Sequence, residues 1–378
     1  MKFLIALDSF KGSCSAKNAC NAVAKGINRS IPEAEIVTVP ISDGGEGFIE
    51  TLYDTLRKDG FEKIVCEVTG PYLETVKSTF LTKGKCAIIE MAQSSGLELT
   101  SVRDTKNATS FGFGQVVKFA LDNGCTEFWF GLGGSATNDG GAGFAQALGF
   151  RFFDEKGNEF KEPICGKDLI NIKSIKLSED YEKLKKCKFY GTCDVENPLL
   201  GKLGATAIFG PQKGATDNDL ESLEEGMENY SKVLTATFGN DYSDENGAGA
   251  AGGMGAALKW FCKAELKRGI EVVLDLLKVD DILKDASFVF VGEGRMDGQS
   301  AQGKAPVGVA MRAKKYNIPV IALCGQIRND AAVLYDYNVN AMFSICNGPM
   351  SLDYSMMNGE QLLELSAENI TNLIKRLV

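Results

Sequence analysis

Five loops of this 378-residue chain set glycine directly against charged side chains: Lys11-Gly12, Asp43-Gly44-Gly45-Glu46-Gly47, Gly131 to Gly143, Lys213-Gly214 and Gly292 to Lys304. Loops of this kind supply bare backbone N–H groups, cations for phosphate oxygens and carboxylates for Mg²⁺, which are the needs of a metal-bound polyphosphate. The chain contains no histidine, so the commonest general base and the commonest transition-metal ligand are both missing. Proton transfer must fall to Asp, Glu, Lys or Cys, and the pattern points to phosphoryl transfer.

The elements that must hold these loops follow a β/α rhythm at both ends of the chain. Phe3 to Leu7 is an apolar run suited to a buried strand, and Ala16, Ala19, Cys20, Val23 and Ile27 then recur at helical spacing before Pro32. Ile36 to Ile41 predicts a second strand, followed at once by the Asp43 to Gly47 loop and a helix with Phe48, Ile49, Leu52 and Leu56 on one face. Each loop thus lies at the carboxyl end of a strand, where open α/β sheets bind ligands. From Ile64 the texture changes. Ile64 to Thr69, Val76 to Thr82 and Cys86 to Met91 are spaced too closely for intervening helices and predict an antiparallel or mixed sheet. Phe288 to Val291, Pro319 to Leu323 and Ala341 to Ile345 resume the β/α rhythm, closed by a helix over Glu360 to Leu377. The expected organisation is a discontinuous domain of residues 1–68 and 283–378 around an inserted α/β domain of residues 69–282.

Composition narrows the function classes. The length exceeds what one hydrophobic core usually supports, and 44% apolar residues is ordinary for a folded chain. A net charge of −9 argues against a nucleic-acid surface, since proteins that neutralise many phosphates are basic. Eleven cysteines occur without a C-x-x-C pair, and the apolar run before Asp8 is too short for a signal peptide or membrane span. The expectation is a cytoplasmic protein with free thiols and a small-molecule partner, binding neither nucleic acid nor membrane.

Two familiar patterns match only in part. Gly131-Leu132-Gly133-Gly134-Ser135-Ala136 follows the strand-like Glu127 to Phe130 and fits a dinucleotide fingerprint, which would suit a nicotinamide-dependent oxidoreductase. The place where that fold needs a helix holds Asp139-Gly140-Gly141, and each glycine costs about 1 kcal/mol in a helix interior. Gly298 to Lys304 has P-loop spacing, but Ala305 replaces the hydroxyl residue that would bind Mg²⁺. It reads as a phosphate-contacting loop of another fold. A ligand-binding protein without turnover is the remaining rival class.

Several segments together resemble the bacterial glycerate kinase family: Asp8-Ser9-Phe10-Lys11-Gly12-Ser13, Ser42 to Gly47, Gly133 to Gly143, Cys193-Asp194-Val195-Glu196-Asn197-Pro198-Leu199, Phe209 to Ala215, Gly249 to Gly253 and Gly292 to Asp297. They span nearly the whole chain in order. The departures are small: Val291 stands where Thr is usual, Cys14 where Leu is usual, and Gly298 and Ser300 where a more polar pair is common. The resemblance implies an α/β protein of two domains, one flavodoxin- or Rossmann-like and one with a mixed sheet, and an active site in the cleft between them. It implies ATP-dependent phosphorylation of D-glycerate with Mg²⁺. The product implied is 2-phosphoglycerate, with the 3-phosphate as the alternative.

On that reading Lys11 and Lys304 neutralise phosphate or substrate carboxylate, and Arg295 grips the carboxylate bidentately. Asp194 and Asp297 bind Mg²⁺ or orient the hydroxyl, with Asp43 and Glu46 next and Asp8 and Ser9 beside the substrate. Gly133, Gly134, Ser135 and Asn138 cradle the nucleotide. Each assignment has a plainer rival. Asp194, ahead of Asn197-Pro198, suits a turn, Asp297 suits a cap for the segment after it, and Lys304 suits a solvated helix start. Lys11 follows a buried strand and is expected to open a helix whose N–H groups attract anions. Cys14, Cys20, Cys125 and Cys324 suit small apolar places in the core.

Overall fold

The chain begins with β1 (Lys2–Leu7) and β2 (Glu35–Thr38), which pair in parallel around the helix Ala16–Ser30. A computed structural model describes residues 1–41, 48–302 and 304–377. After β2 the chain builds a second sheet from β3 (Glu62–Thr69), β4 (Thr75–Lys83), β5 (Cys86–Glu90) and β6 (Glu127–Gly131). A small antiparallel pair, β7 (Arg151–Phe153) and β8 (Ser174–Lys176), interrupts it before β9 (Lys188–Thr192) and β10 (Glu265–Lys267) complete it. The last strands, β11 (Phe288–Met296), β12 (Val320–Ile327) and β13 (Ala341–Ser344), return to the first sheet.

By contacts the chain divides into two units, Met1–Asp43 with Asp54–Leu56 and Ile270–Val378, and Gly44–Tyr53 with Arg57–Gly269. Sequence patterning puts the breaks near 68 and 282. The contacts run differently for two reasons. All eight residues of β3 pair with β4, which carries them into the second unit. The segment after Gly269 is tied to the helix Ala305–Lys314, where Arg312 meets Glu271, Asp275 and Asp280.

The sheet of the first unit has the order β2-β1-β11-β12-β13, and every neighbouring pair is parallel. Counted within this unit the order is 2-1-3-4-5, that of flavodoxin-like folds. Residues 3–7 of β1 and 289–293 of β11 are buried without a break, as strands covered on both faces must be. The core on one side joins Phe3, Ile5, Leu7 and Phe290 to Val23 and Ile27 of the first helix and to Leu363 and Ala367 of the helix Gly359–Leu377. Gly26 allows those two helices their close approach, since a Cβ there would overlap the Glu364 carbonyl oxygen.

The second unit holds a six-stranded sheet ordered β10-β9-β6-β5-β4-β3. Pairs β3–β4 and β4–β5 are antiparallel, and β5–β6, β6–β9 and β9–β10 are parallel. It is a mixed sheet, as the spacing of β3 to β5 predicts. Phe113, Phe128, Phe130, Phe144 and Phe189 form the centre of its core. All eleven cysteines are free, with Cys20, Cys125 and Cys324 buried and Cys14 partly exposed. Among the described residues no helix is long and apolar enough to cross a membrane.

Candidate active site

In the first unit β2 lies on one side of β1, and β11, β12 and β13 lie on the other. The chain reverses its direction across the sheet at the β1–β11 pair, and open parallel sheets bind ligands outside the strand ends at such a point. Both loops leave from there. The Asp8 N–H extends the ladder by donating to the Gly292 carbonyl at 2.9 Å. Ser9 follows, with its own N–H on Asp8 Oδ1.

Residues 10–14 then close a tight turn, in which Phe10 N–H donates to the Cys14 carbonyl and Cys14 N–H to the Phe10 carbonyl. Gly12 takes φ +78° in it. The helix begins only at Ala16, capped by Ser15, whose hydroxyl accepts from Asn18 N–H. Lys11 therefore does not open the helix, contrary to the expectation from sequence: the turn consumes the intervening residues. Lys11 is exposed, and among the described residues it makes no ion pair. A Cβ on Gly294 of β11 would lie 3.8 Å from the Lys11 backbone nitrogen.

The β11 loop carries the densest charge. Glu293 and Asp297 are 9% and 6% exposed, and Ser300 between them in space is fully buried. The Ser300 hydroxyl donates to Glu293 Oε1 at 2.7 Å and accepts from Asp297 N–H at 3.3 Å. Lys304 Nζ is 3.4 Å from Glu293 Oε2, and Arg295 Nε is 3.2 Å from Asp297 Oδ2. The Gln299 N–H donates to Asp297 Oδ1, so Asp297 does cap the 3₁₀ turn Gly298–Gln302 while its other oxygen faces Arg295. Lys304 occupies the N-cap position of the helix Ala305–Lys314, with Pro306 in its first turn, and that helix end favours anions. The P-loop spacing thus ends at a helix start, through a 3₁₀ turn in place of a glycine nest.

In the second unit the Gly133 loop leaves the carboxyl end of β6. No helix follows at once. Residues 132–141 are irregular, and the next helix, Ala142–Ala147, is six residues long. The dinucleotide fingerprint lacks the helix it requires. Gly134, Gly140 and Gly141 have φ of +72°, +55° and +70°, and Gly133 and Gly134 face solvent. The loop is stitched to residues 95–97 by Leu97 N–H to the Gly134 carbonyl and Ala136 N–H to the Ser95 carbonyl.

Asp139 organises the inner turn. Its Oδ2 accepts from the Ser110 N–H and hydroxyl, both at 2.7 Å, and its Oδ1 from Gly141 N–H. Burial pushes the carboxyl up from its usual range, and these hydrogen bonds oppose the shift. Asn138 is fully buried, its amide donating to Thr206 Oγ1 at 3.1 Å. Lys213 approaches from beneath, and its Nζ donates to Ser135 Oγ at 3.1 Å and to the Thr137 carbonyl at 2.7 Å.

Asp194 follows β9, the parallel neighbour of β6, and the two loops start side by side: Leu132 N–H donates to Thr192 Oγ1. Asp194 is exposed and accepts from Gly269 N–H at 2.8 Å. Asp194 belongs to the second unit and Asp297 to the first. Among the described residues no group of three or more Asp, Glu or Cys side chains could hold a metal. Mg²⁺ usually takes one or two protein carboxylates and completes its shell with water and phosphate oxygens. Asp297, with Glu293 on the same loop, fits that demand. Asp43 and Glu46 lie outside the described residues.

Sequence reasoning placed Asp8, Ser9, Arg295, Asp297 and Lys304 as site residues, and the structure gathers them on two adjacent loops. It missed Glu293, which receives Lys304, and Lys213, which supports Ser135. The signal for both was present, since each lies in one of the glycine-and-charge loops. Burial, which separates them from ordinary surface charges, is not readable from the chain.

The family model described as the glycerate kinase family matches residues 3–375. A glycerate kinase of Haemophilus influenzae is 43% identical over 99% of both chains. The glycerate 2-kinase of Escherichia coli is 42% identical, over 98% of this chain and 97% of that one. A crystal structure from Salmonella typhimurium LT2, provisionally named glycerate kinase 2, is similar at a TM-score of 0.86 and 40% identity, covering 100% of this chain and 98% of the other.

Proposed function

The chain belongs to the glycerate kinase family, and from that premise we propose that it transfers the γ-phosphoryl group of ATP to D-glycerate, giving 2-phospho-D-glycerate. It is an enzyme, a phosphotransferase with an alcohol group as acceptor. The single observation that carries the geometric side of the reading is the cluster at the β1–β11 switch point, where Asp297 and Glu293 lie with Arg295 and Lys304.

Phosphoryl transfer passes through a loose transition state, so catalysis rests on position and charge neutralisation more than on proton removal. Lys11 and Lys304 neutralise phosphate oxygens or the substrate carboxylate, and Arg295 turns its fork to that carboxylate. Asp297, aided by Glu293, is the carboxylate for Mg²⁺, and Asp194 is a second candidate for the metal or for orienting the hydroxyl. Bound Mg²⁺ would withdraw charge from the phosphate oxygens. The exposed backbone at Gly133 and Gly134 takes the nucleotide. Asp8 and Ser9 complete the substrate side. The 2-position is supported by the name of the Escherichia coli relative.

An ADP-release assay with ATP and D-glycerate tests the reaction, and absence of turnover across a panel of small hydroxy acids would overturn it. Enolase added without phosphoglycerate mutase tests the position. Immediate phosphoenolpyruvate identifies the 2-phosphate, and phosphoenolpyruvate that appears only after mutase is added identifies the 3-phosphate.

A further inference from the structure

Lys213 is 2% exposed, a rare state for lysine. A buried ammonium is costly unless its protons are spent on acceptors, and here two are spent on the loop after β6, through Ser135 Oγ and the Thr137 carbonyl. The residue sits in the short 3₁₀ turn Pro211–Lys213, ended by Gly214 at φ +98°, where a Cβ would overlap the Arg103 carbonyl oxygen. The turn therefore has little freedom to withdraw the side chain.

The same loop segment contains two buried atoms, Thr137 Oγ1 and Asn138 Oδ1, with no hydrogen-bond partner among the described residues. Each such atom costs about 1–3 kcal/mol, so residues 137 and 138 are not held where they are by their own side chains alone. Gly252 presses on the same place, since a Cβ there would overlap the Thr137 carbonyl oxygen. Lys213 grips that carbonyl from inside the protein, while Gly133 and Gly134 turn outward.

We propose that Lys213 is a positioning residue for nucleotide binding, fixing the Gly133–Asn138 loop from its interior side through Ser135 and the Thr137 carbonyl; the inference rests on the reading of that loop as the nucleotide cradle. Lys213 is too deeply buried to meet phosphate itself, and it acts through the backbone that it holds. The ligand concerned is a nucleoside triphosphate, not glycerate. Loss of the tie therefore changes the two substrates unequally.

The test compares KM for ATP, KM for D-glycerate and kcat in Lys213→Met, Ser135→Ala, their double variant and Gly134→Ala, each checked for folding by circular dichroism. Lys213→Met is expected to raise KM for ATP by about tenfold or more while KM for glycerate and kcat move by less than about threefold. Ser135→Ala is expected to raise KM for ATP less, and the double variant to be no worse than Lys213→Met, because both remove one tie. Additive losses would show that Ser135 meets the nucleotide independently of Lys213 and would overturn the proposal. If Gly134→Ala raises KM for ATP and Lys213→Met does not, the cradle reading survives and the role of Lys213 falls. If no variant changes KM for ATP, both fall. Should Lys213→Met fail to fold, Lys213→Arg and Ser135→Ala decide: a KM for ATP near the parent's in Lys213→Arg with a raised KM in Ser135→Ala supports the tie, and an unchanged KM for ATP in Ser135→Ala removes it.

Discussion

Leu7 on β1 stands in register with Gly292 on β11, so the two charged loops of the first unit diverge from one point of one parallel ladder. The pairing requires glycine. A Cβ at 292 would overlap the Leu323 carbonyl oxygen on β12 and crowd the Leu7 side chain at 3.3 Å. Gly292→Ala is expected to destabilise the protein by about 1–3 kcal/mol, the usual range for overpacking. Urea denaturation checks this, and an unchanged midpoint would mean that the strands part at no cost.

Lys11→Ala is expected to lower kcat/KM by about 100-fold or more, the loss of a charge-assisted contact worth about 3 kcal/mol in the transition state. Because Lys11 is exposed, its thermal midpoint should stay that of the parent. A folded variant within threefold of the parent would make Lys11 an ordinary surface lysine.

Asp297→Asn separates charge from capping, since an amide oxygen can still accept from Gln299 N–H. The expected outcome is an intact fold with a higher Mg²⁺ concentration for half-maximal activity. The same titration on Asp194→Asn, which keeps the acceptor for Gly269 N–H, tells which carboxylate serves the metal. An unchanged Mg²⁺ requirement excludes the residue concerned.

Arg312 is held by three carboxylates, with Nε 3.0 Å from Glu271, Nη2 2.7 Å from Asp275, and a further ion pair to Asp280. Its side chain is 10% exposed. Arg312→Met leaves three acids facing one another, and because those acids are 28–38% exposed and partly screened, a loss of about 1–3 kcal/mol is expected. A urea midpoint within error of the parent would show that solvent already screens the acids.

Lys213 predicts a pH dependence of stability. Burial depresses its ammonium from 10.5 to about 7, against the opposing pull of Asp139, the charged group facing it; the Tyr230 hydroxyl and Cys165 thiol lie toward Asp139 as well. Between pH 7 and 9 the unfolded chain keeps this proton and the folded chain releases it. The unfolded state binds more protons there, so the Lys213 contribution to stability rises with pH, its penalty being full below 7 and fading toward 10.5. Urea midpoints of the parent and Lys213→Met should therefore shift in the parent's favour from pH 7 to 9. A constant gap would show that the folded lysine titrates normally. Burial raises the Cys20, Cys86, Cys165 and Cys324 thiols to about 12, so their opposing effect begins only near 9.

Periodicity read the fold well where strands are continuously apolar. Phe3 to Leu7 and Phe288 to Val291 were legible because burial on both faces leaves no polar interruption, and Cys86 to Met91 because only Glu90 breaks its apolar run. The helix start after Lys11 was not, because Phe10 to Cys14 close through backbone hydrogen bonds that side-chain pattern does not encode. Ile36 to Ile41 reads as one strand, and the regular ladder stops at Thr38 although Val39 and Ile41 still donate to Ile5 and Leu7. At the site, residue type and glycine spacing marked the Gly292 to Lys304 loop, and the family resemblance singled out Asp297 and Arg295 within it. Glu293, Ser300 and Lys213 needed three dimensions, for their significance lies in what they touch.

The placement of β1 beside β11 also bears on the order in which a nascent chain can mature. β1 precedes the strand that pairs with it on that side, Phe288–Met296, by most of the chain, and the helix Gly359–Leu377 that covers Ala16–Ser30 follows later still. Nearly all of the second unit, Arg57–Gly269, is contiguous and can close while β1 and β2 still wait on the ribosome. The unit begun first is finished last. Stalled chains ending near residue 310, which expose 57–269 while β11 is still inside the exit tunnel, should then resist protease across 57–269 yet be cut within the first 41 residues, and protection of both regions would contradict this order. For as long as synthesis of the intervening segment lasts, the apolar strand Phe3 to Leu7 has no permanent neighbour on the β11 side.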